Sequence, residues 1–220
     1  INTPYSRLAA DPVPPEVAYQ LIHDELMLDG SARMNLATFV TTWMEPQAQR
    51  LMAESMDKNM IDKDEYPQTA AIENRCLAIL ADLWHVPDPS VVTGCSTTGS
   101  SEACMLAGMA LKRRWTRRTG ADPTRRPNLV MGANVQVCWE KACRYFEIEE
   151  KLVYCTPERY VIDPEETVKL VDENTIGICC ILGTTYTGEY EDVKGVNDLL
   201  TKKGLNVPIH VDAASGGFVA

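Results

Sequence analysis

The sequence predicts an α/β fold built around a mostly parallel sheet. From residue 91 onward, short apolar segments of strand length alternate with segments of helical periodicity, and strands joined by helix-length connections are typical of βαβ units. The loops that follow the apolar segments are rich in glycine, threonine and serine. Because open parallel sheets bind ligands at the carboxyl ends of their strands, we expect a binding edge there.

The first ninety residues are predicted to be helical, with irregular connections. Pro14-Pro15 is typical of the start of a helix, which we expect to end near Gly30. A second helix is predicted over residues 46–57. The clearest helical pattern begins at Pro67, where apolar side chains recur about every 3.6 residues until Pro87.

Strands and helices alternate in the rest of the chain. The predicted strands cover residues 91–95, 128–132, 151–155, 176–182 and 207–211, and the predicted helices cover residues 100–118, 137–146, 164–173 and 193–203. The helix that begins at Pro164 has the strongest start signal, because Asp163 is a typical N-cap and Glu166 occupies the third helical position. Gly204 follows the last helix, as a C-terminal cap would.

The composition excludes several classes of protein. A net charge of -10 makes nucleic acids and anionic membrane surfaces poor partners, and the longest apolar segments are too short to span a bilayer. Three widely spaced histidines, with no Cys-x-x-Cys pair, predict no metal site. Eight cysteines are too few for a disulfide scaffold, so we expect free thiols in a reducing, cytoplasmic compartment.

Gly99-Ser100-Ser101 lies at the start of a long predicted helix. Unpaired N–H groups and the helix dipole favour an anion there, and two hydroxyl groups add donors for phosphate oxygens. Simple N-capping explains the same residues equally well. Neither the P-loop pattern nor G-x-G-x-x-G follows any predicted strand, which disfavours an NTPase and a nicotinamide-dependent dehydrogenase.

Asp212 is predicted to end a strand in apolar surroundings, since it follows Ile209-His210-Val211. A buried carboxylate without a partner is costly, so Asp212 needs a cation or a hydrogen-bond donor. A protonated pyridine nitrogen is suitable, and the small Ala214 on the same strand face leaves room for a flat ring. The alternative is that Asp212 caps the turn that follows it.

Several blocks of the sequence resemble those of the pyridoxal-phosphate-dependent glutamate decarboxylases of plants and bacteria. The blocks are Gly99-Ser-Ser-Glu-Ala-Cys, Val135-Gln-Val-Cys-Trp, Thr185-Tyr-Thr-Gly and His210-Val-Asp-Ala-Ala-Ser-Gly-Gly-Phe, and the resemblance runs in order from Tyr19 to Ala220. It implies the large-domain α/β architecture of the aspartate-aminotransferase type, known as fold type I. It also implies a helical arm over residues 1–66 that packs across a dimer, and a cofactor-binding domain over residues 67–220.

The resemblance assigns the cofactor, pyridoxal 5′-phosphate, to the loops at the carboxyl ends of the strands. Ser100 and Ser101 are expected to hold its phosphate. Thr185 is expected to bond near the phenolic oxygen of the ring. Gln136 is expected to stack on one ring face and Ala214 to contact the opposite face.

Two residues are expected to be catalytic, Asp212 by pairing with the pyridine nitrogen and Gln136 at the ring face. The distal carboxylate of the substrate, L-glutamate, is expected to contact a further set, Thr38, Phe39, Asn59 and Asp62. Because Asp62 is itself acidic, that contact requires one of the two carboxyl groups to be protonated or hydrogen-bonded. This suits an enzyme that favours acidic conditions.

The implied function is decarboxylation of L-glutamate to 4-aminobutyrate and carbon dioxide by a homo-oligomer, a dimer or an assembly of dimers. The family's Schiff-base lysine lies in a Ser-x-His-Lys block that this sequence lacks, so we expect the chain to be part of a longer protein and to be inactive alone. Two alternatives stay open: another decarboxylase of this cofactor, acting on aromatic amino acids or histidine, and a non-catalytic truncated subunit. Binding of calmodulin or another regulator to a C-terminal tail outside this sequence is also open.

Overall fold

The computed structural model describes residues 11–34, 44–88, 91, 93–120, 122 and 124–219. The chain divides into two compact units, Ile1–Glu45 and Pro46–Ala220. The arm predicted over residues 1–66 therefore extends past the first unit into the second. No helix within the described ranges combines the length and apolar character needed to cross a membrane.

The first unit contains helix α1, Pro15–Leu26, and a single 3-10 turn, Ala32–Met34. The helix begins directly after Pro14, as predicted, and ends before Gly30. Its large apolar side chains are mostly exposed, with 59% of Ile22 and 60% of Leu26 accessible to solvent. The helix therefore buries little apolar surface in the described chain.

The second unit begins with α2, Pro46–Ser55, and α3, Pro67–Leu83. Both helices were predicted, and α2 ends two residues earlier than expected. Directly after α3, the indole N–H of Trp84 donates to the backbone carbonyl of Gly217 at 2.9 Å. The end of α3 is thereby attached to the last described loop of the chain.

Four parallel strands form the sheet, in the order β2-β1-β3-β4. They are β1 Asn128–Gly132, β2 Glu149–Val153, β3 Thr175–Ile181 and β4 Ile209–Asp212. The predicted α/β class and parallel pairing are confirmed. The strand predicted over residues 151–155 begins two residues earlier, at the charged pair Glu149-Glu150, because an edge strand tolerates exposed polar residues.

The strand predicted over residues 91–95 is wrong in the described part of that segment. Residues 93–97 have no regular secondary structure and pair with none of the four strands. Thr93 and Cys95 are exposed. A strand exists only where a neighbour supplies the hydrogen-bond ladder, so β-branched residues such as Val91 and Thr93 do not form one by propensity alone.

Helices cover both faces of the sheet, and they are α4 Ser100–Thr119, α5 Val137–Tyr145, α6 Pro164–Lys169 and α7 Val193–Lys202. Leu129 and Met131 of β1 belong to the core beneath α4 and α5, whereas Val130 between them belongs to the core beneath α6 and α7. This alternation follows the two-residue period of a strand. The result is a three-layer arrangement with β1 and β3 buried along their whole length.

The predicted caps of α6 and α7 are present. The side chain of Asp163 accepts the backbone N–H of Glu166 at 2.8 Å, and Gly204 follows α7 with a φ of +66°. Helix α6 is shorter than the predicted 164–173, because the carboxylate of Asp172 accepts the backbone N–H of Asn174 at 2.9 Å and forms a turn instead.

Candidate active site

The path of the chain creates a topological switch point at the carboxyl ends of β1 and β3, and open α/β sheets have a crevice outside such a point. The chain leaves β1 through α5, which packs on one face of the sheet, and leaves β3 through α7, which packs on the other. Ligands of open α/β sheets bind at such a switch point. The loops after β1, β3 and β4 supply Gln136, Thr185 and Asp212, so the predicted binding edge coincides with this crevice.

Asp212 is half-buried at the end of β4. Its Oδ2 accepts the indole N–H of Trp139 at 2.9 Å, and its Oδ1 accepts the backbone N–H of Ala214 at 3.4 Å. The turn cap considered from sequence therefore exists, but it is the longer of the two bonds. In the described part of the chain, none of the ion pairs involves Asp212.

Trp139 is one of the residues that sequence reasoning missed at this site. Its side chain is fully buried on α5, and its ring meets the ring of His210 edge-on, with centroids 4.7 Å apart. Burial lowers the pKa of His210, although the nearby Asp212 opposes this effect. The groups that donate to Asp212, an indole and a backbone N–H, are uncharged, and no described ion pair balances its carboxylate.

Ser100 and Ser101 occupy the first two positions of α4, after Gly99 as the N-cap. Gly99 is thus the N-cap residue, as the capping alternative expects, but it caps the helix without a side-chain hydrogen bond. Ser100 is exposed and Ser101 is half-buried. Because the first N–H groups of a helix lack intrahelical acceptors, this helix start and the two hydroxyls beside it form a set of donors suited to an anion.

The loop before α4 is held by two carboxylates. Glu73 accepts both the backbone N–H and the hydroxyl of Ser96, at 2.8 and 2.7 Å. Glu102 accepts the backbone N–H and the hydroxyl of Thr98, at 2.7 and 2.9 Å. These hydrogen bonds lower the pKa of Glu73 and of Glu102. The loop therefore reaches α4 in a fixed conformation.

Gln136 is the N-cap of α5, and its side-chain oxygen accepts the backbone N–H of Cys138 at 2.7 Å. The residue is half-buried at the carboxyl end of β1. The structure thus places Gln136 at the predicted edge and gives it a structural partner. Its predicted contact with a cofactor ring stays a prediction.

The loops after β3 and β4 are joined to each other. The hydroxyl of Ser215 donates to the carbonyl of Gly183 at 2.9 Å, and the hydroxyl of Tyr190 donates to the carbonyl of Gly216 at 2.8 Å. A Cβ on Gly216 would lie 2.4 Å from a backbone oxygen just after β3. Thr185, half-buried in the first of these loops, is therefore positioned relative to the second.

Glu191 is a second buried carboxylate that sequence reasoning missed. Only 3% of it is exposed. It accepts the backbone N–H of Ile181 at 2.8 Å, and at 3.4 Å both the backbone N–H of Ile162 and the side-chain amide of Asn134. Burial raises the pKa of Glu191, and these donors oppose the rise. One carboxylate thereby connects the loops that follow β1, β2 and β3.

Asn59 and Asp62 lie between α2 and α3, and each accepts a backbone N–H of its own turn, at 3.3 and 3.1 Å. The sulfur of Met60, between them, is 3.9 Å from the hydroxyl of Ser96. This segment therefore borders the loop that leads into α4. The other two predicted substrate contacts, Thr38 and Phe39, lie outside the described residues.

A depression of about 810 Å³ lies at the opposite edge of the sheet. It adjoins Pro127, just before β1, and Glu149, the first residue of β2. Its lining contains charged residues of both signs, such as Lys112 and Glu147. It is far from the candidate site along the strands. No group of three or more His, Cys, Asp or Glu side chains in the described ranges is arranged to hold a metal ion.

Comparison with known proteins gives a consistent result. Residues 11–220 match the pyridoxal-dependent decarboxylase conserved domain. A glutamate decarboxylase of Petunia hybrida is 54% identical over the whole chain, which covers 45% of that protein. A glutamate decarboxylase of Aliivibrio fischeri is 54% identical over 94% of the chain and is covered to 46%. The chain spans about half the length of the curated relatives it matches.

Solved structures agree with the fold. A glutamate decarboxylase of Lactobacillus brevis superimposes with a TM-score of 0.92 at 45% identity, over 99% of this chain and 51% of that one. A sphingosine-1-phosphate lyase of Burkholderia pseudomallei superimposes with a TM-score of 0.80 at 16% identity, over 98% of this chain and 50% of that one. At such low identity the second likeness concerns the fold alone.

Proposed function

Because the chain belongs to the pyridoxal-dependent decarboxylase family, we propose that it forms part of an enzyme that decarboxylates L-glutamate to 4-aminobutyrate and carbon dioxide. Curated relatives at 49–56% identity carry the name glutamate decarboxylase. Since the chain spans about half their length, the proposal concerns the chain joined to the remaining part of that length. We refer to this combination as the complete enzyme.

The environment of Asp212 is the main support for this proposal. It is a half-buried carboxylate at the carboxyl edge of the sheet, and no described side chain balances its charge. An uncompensated charge in such a position is costly unless a ligand supplies the partner. The pyridine nitrogen of pyridoxal phosphate, when protonated, is a cation of the required kind.

The donors at the start of α4 suit the other end of the same cofactor. Ser100 and Ser101 offer hydroxyl groups beside helix N–H groups that lack intrahelical acceptors, and helix starts favour phosphate. A carboxylate for a cation and donors for an anion thus border one crevice. The residues present therefore fit pyridoxal 5′-phosphate, with Gln136, Thr185 and Ala214 as the proposed ring contacts.

When bound, pyridoxal phosphate accepts the electron pair that departure of carbon dioxide leaves on the substrate's α-carbon. The role proposed for Asp212 is to keep a proton on the pyridine nitrogen, because an adjacent negative charge favours the protonated form. Trp139 holds Oδ2 of that carboxylate from a fully buried position, so Asp212 does not have to reorient. Trp139 is thus a positioning residue rather than a catalytic one.

The proposed substrate contacts are Asn59 and Asp62, with Thr38 and Phe39. Asp62 already accepts one backbone N–H, which leaves an oxygen to share a proton with a substrate carboxyl group. Two carboxyl groups in contact require such a proton. We therefore expect the pH–rate profile of the complete enzyme to fall towards alkaline pH.

Assembly and location are also proposed. The exposed apolar side chains of α1, including Ile22 and Leu26, suit a contact between subunits, and we propose a homo-oligomer. The described cysteines are all free, which suits the reducing conditions of the cytoplasm.

The test is to assay the complete enzyme with pyridoxal phosphate and a panel of L-glutamate, L-histidine and L-tryptophan. We expect carbon dioxide release from glutamate alone. Asp212→Asn should lower kcat by about 100-fold or more while glutamate binding is retained, because the lost charge acts in the transition state. Asp198→Asn, an exposed partner of Lys194, should leave kcat unchanged.

Two outcomes would contradict the proposal. Turnover of histidine or tryptophan at the same rate as glutamate would show that the enzyme is not specific for glutamate. A kcat for Asp212→Asn within about tenfold of wild type, less than about 1.4 kcal/mol of barrier, would show that the carboxylate acts only as a turn cap.

A further inference from the structure

Two cysteines lie together where α4 and α5 begin. Cys104 is the fifth residue of α4 and Cys138 the second residue of α5. Their sulfur atoms are 3.2 Å apart, and only 5% and 2% of the two residues are exposed. The mechanism proposed above uses neither thiol, so this pair requires its own explanation.

The surroundings of the pair shift the two thiols in opposite directions. The hydrogen bond shared with Cys104 lowers the pKa of Cys138, with support from the Ser100 hydroxyl and from the backbone N–H of Cys138 itself, while burial and Asp212 oppose the shift. The pKa of Cys104 is raised in turn by the same hydrogen bond and by burial. Thiolates at helix starts are the reactive form of cysteine.

The other buried cysteines differ in this respect. Burial raises the pKa of Cys143 and of Cys180 to about 12, and it raises the pKa of Cys179 well above its ordinary value. They remain protonated near neutral pH. Cys138 therefore combines a neighbouring sulfur at 3.2 Å with a lowered pKa, which the three other buried cysteines do not.

We propose that Cys104 and Cys138 form a redox-active dithiol beneath the candidate cofactor site, which hydrogen peroxide converts into a disulfide. The Cys138 thiolate attacks one peroxide oxygen, the O–O bond breaks, and sulfenic acid and hydroxide form. The sulfur of Cys104 then attacks the sulfenic sulfur, an S–S bond forms, and the leaving hydroxyl takes the thiol proton as water. In sum, two thiols lose two electrons and two protons, and peroxide is reduced to two waters.

The structure provides both access and space for this reaction. Ser100, which contacts the Cys138 sulfur, is exposed, so the dithiol lies directly below a surface residue. A disulfide bond is about 2.0 Å long, so the sulfurs, now 3.2 Å apart, approach by about 1.2 Å. Gly108 faces Ala142 where α4 and α5 pack, with 3.9 Å between Cβ positions, and small residues allow the helices to adjust.

A consequence for the cofactor rests on the proposed function. The bridge draws together the two helix starts that carry Ser100, Ser101 and Gln136. Bound phosphate at Ser100 would cover the path to Cys138. We therefore expect pyridoxal phosphate to protect the dithiol, and the disulfide to weaken cofactor binding.

The first experiment treats the cofactor-free complete enzyme with hydrogen peroxide at pH 7 and maps peptides by mass spectrometry. The expected product is a cross-link between the peptides of Cys104 and Cys138, with loss of two hydrogen atoms and reversal by dithiothreitol. Cys95→Ser, at an exposed site, should form the same cross-link, and Cys104→Ser should not. In Cys104→Ser, Cys138 should instead accumulate as sulfenic acid, which a dimedone probe detects. Absence of the cross-link in folded wild type, or no dimedone adduct at Cys138 in Cys104→Ser, would overturn the proposal.

The second experiment repeats the oxidation after saturation with pyridoxal phosphate. We expect the cross-link to form at least about tenfold more slowly, as for a site screened by a bound ligand. If the cross-link forms at the same rate with and without bound cofactor, the placement of the dithiol beneath the cofactor is wrong. Failure of the reduced enzyme to bind pyridoxal phosphate would contradict the proposed function instead, since the cross-link needs no cofactor.

Discussion

Trp139→Phe tests whether the indole positions Asp212. The substitution removes the N–H that donates to Oδ2 at 2.9 Å, and hydrogen bonds to charged groups contribute about 1.5–3 kcal/mol. It also deletes two ring carbons from a fully buried side chain, or about 1.6 kcal/mol at the usual value per buried carbon. The expected loss in free energy of unfolding is about 3–5 kcal/mol, the sum of these two terms.

Trp115→Phe is the matched control. Trp115 is also buried, at 5% exposure, but its indole donates to the uncharged backbone carbonyl of Glu173 at 3.3 Å. The packing loss is the same, whereas a neutral hydrogen bond contributes only about 0.5–1.5 kcal/mol. The difference between the two variants, about 1–2 kcal/mol, therefore measures the interaction with the charged acceptor.

The assay is urea unfolding followed by far-ultraviolet circular dichroism, together with the affinity of the complete enzyme for pyridoxal phosphate. We expect Trp139→Phe to be the less stable variant and the only one that binds the cofactor more weakly. Equal destabilisation by both substitutions, with equal cofactor affinity, would refute the assignment of Trp139 as a positioning residue.

Three further substitutions test other parts of the fold. Glu191→Gln turns an amide towards three hydrogen-bond donors and should cost about 2–3 kcal/mol of unfolding free energy in urea, whereas the exposed Glu189→Gln should not. Burial raises the pKa of Asp172, but hydrogen bonds from Lys151 and other donors outweigh it and lower the pKa to about 2, below its ordinary 3.8. The melting temperature should therefore fall as the pH drops from about 4 to about 2, and Asp172→Asn should flatten that dependence. Asp163→Ala removes the α6 cap and should lower the free energy of unfolding by about 1 kcal/mol. Asp163→Asn keeps a capping oxygen, so its melting temperature should be close to that of the wild type.

Each of these expectations has a contrary result. A Glu191→Gln protein as stable as Glu189→Gln would mean that the three loops do not depend on the buried carboxylate. If the melting temperature of Asp172→Asn falls with pH as steeply as that of the wild type, Asp172 does not cause the loss of stability in acid. Equal melting of the alanine and asparagine variants at Asp163 would mean that α6 does not depend on its cap.

Sequence predicted the features whose causes are local. The α6 cap needs only Asp163 and the N–H three residues later, and the start of α3 needs only Pro67. The βα alternation is likewise a property of each segment. The placement of Gln136, Thr185 and Asp212 directly after three strands is local in the same way, and the parallel pairing of those strands brings the three residues to one edge.

The features that sequence missed depend on pairing between distant segments. The prediction of a strand at residues 91–95 was wrong because the local sequence pattern does not reveal whether a partner strand lies beside the segment. Trp139 and Asp212 are 73 residues apart, and Cys104 and Cys138 are 34 apart, so no local signal links them. Glu191 lies in an acidic segment that resembles solvent-exposed surface, yet the fold encloses it.

The position of Glu191 constrains how this fold can change during evolution. Loops at the carboxyl edge of an α/β sheet usually accept insertions independently, which is how such folds acquire new specificities. Here donors from the loops after β1 and β2 and from the end of β3 converge on one side chain, so lengthening either loop would have to keep its donor in place or leave a buried carboxylate short of a partner. Variation should therefore accumulate in segments that Glu191 does not contact, such as the stretch between α2 and α3, and substrate preference should change there first.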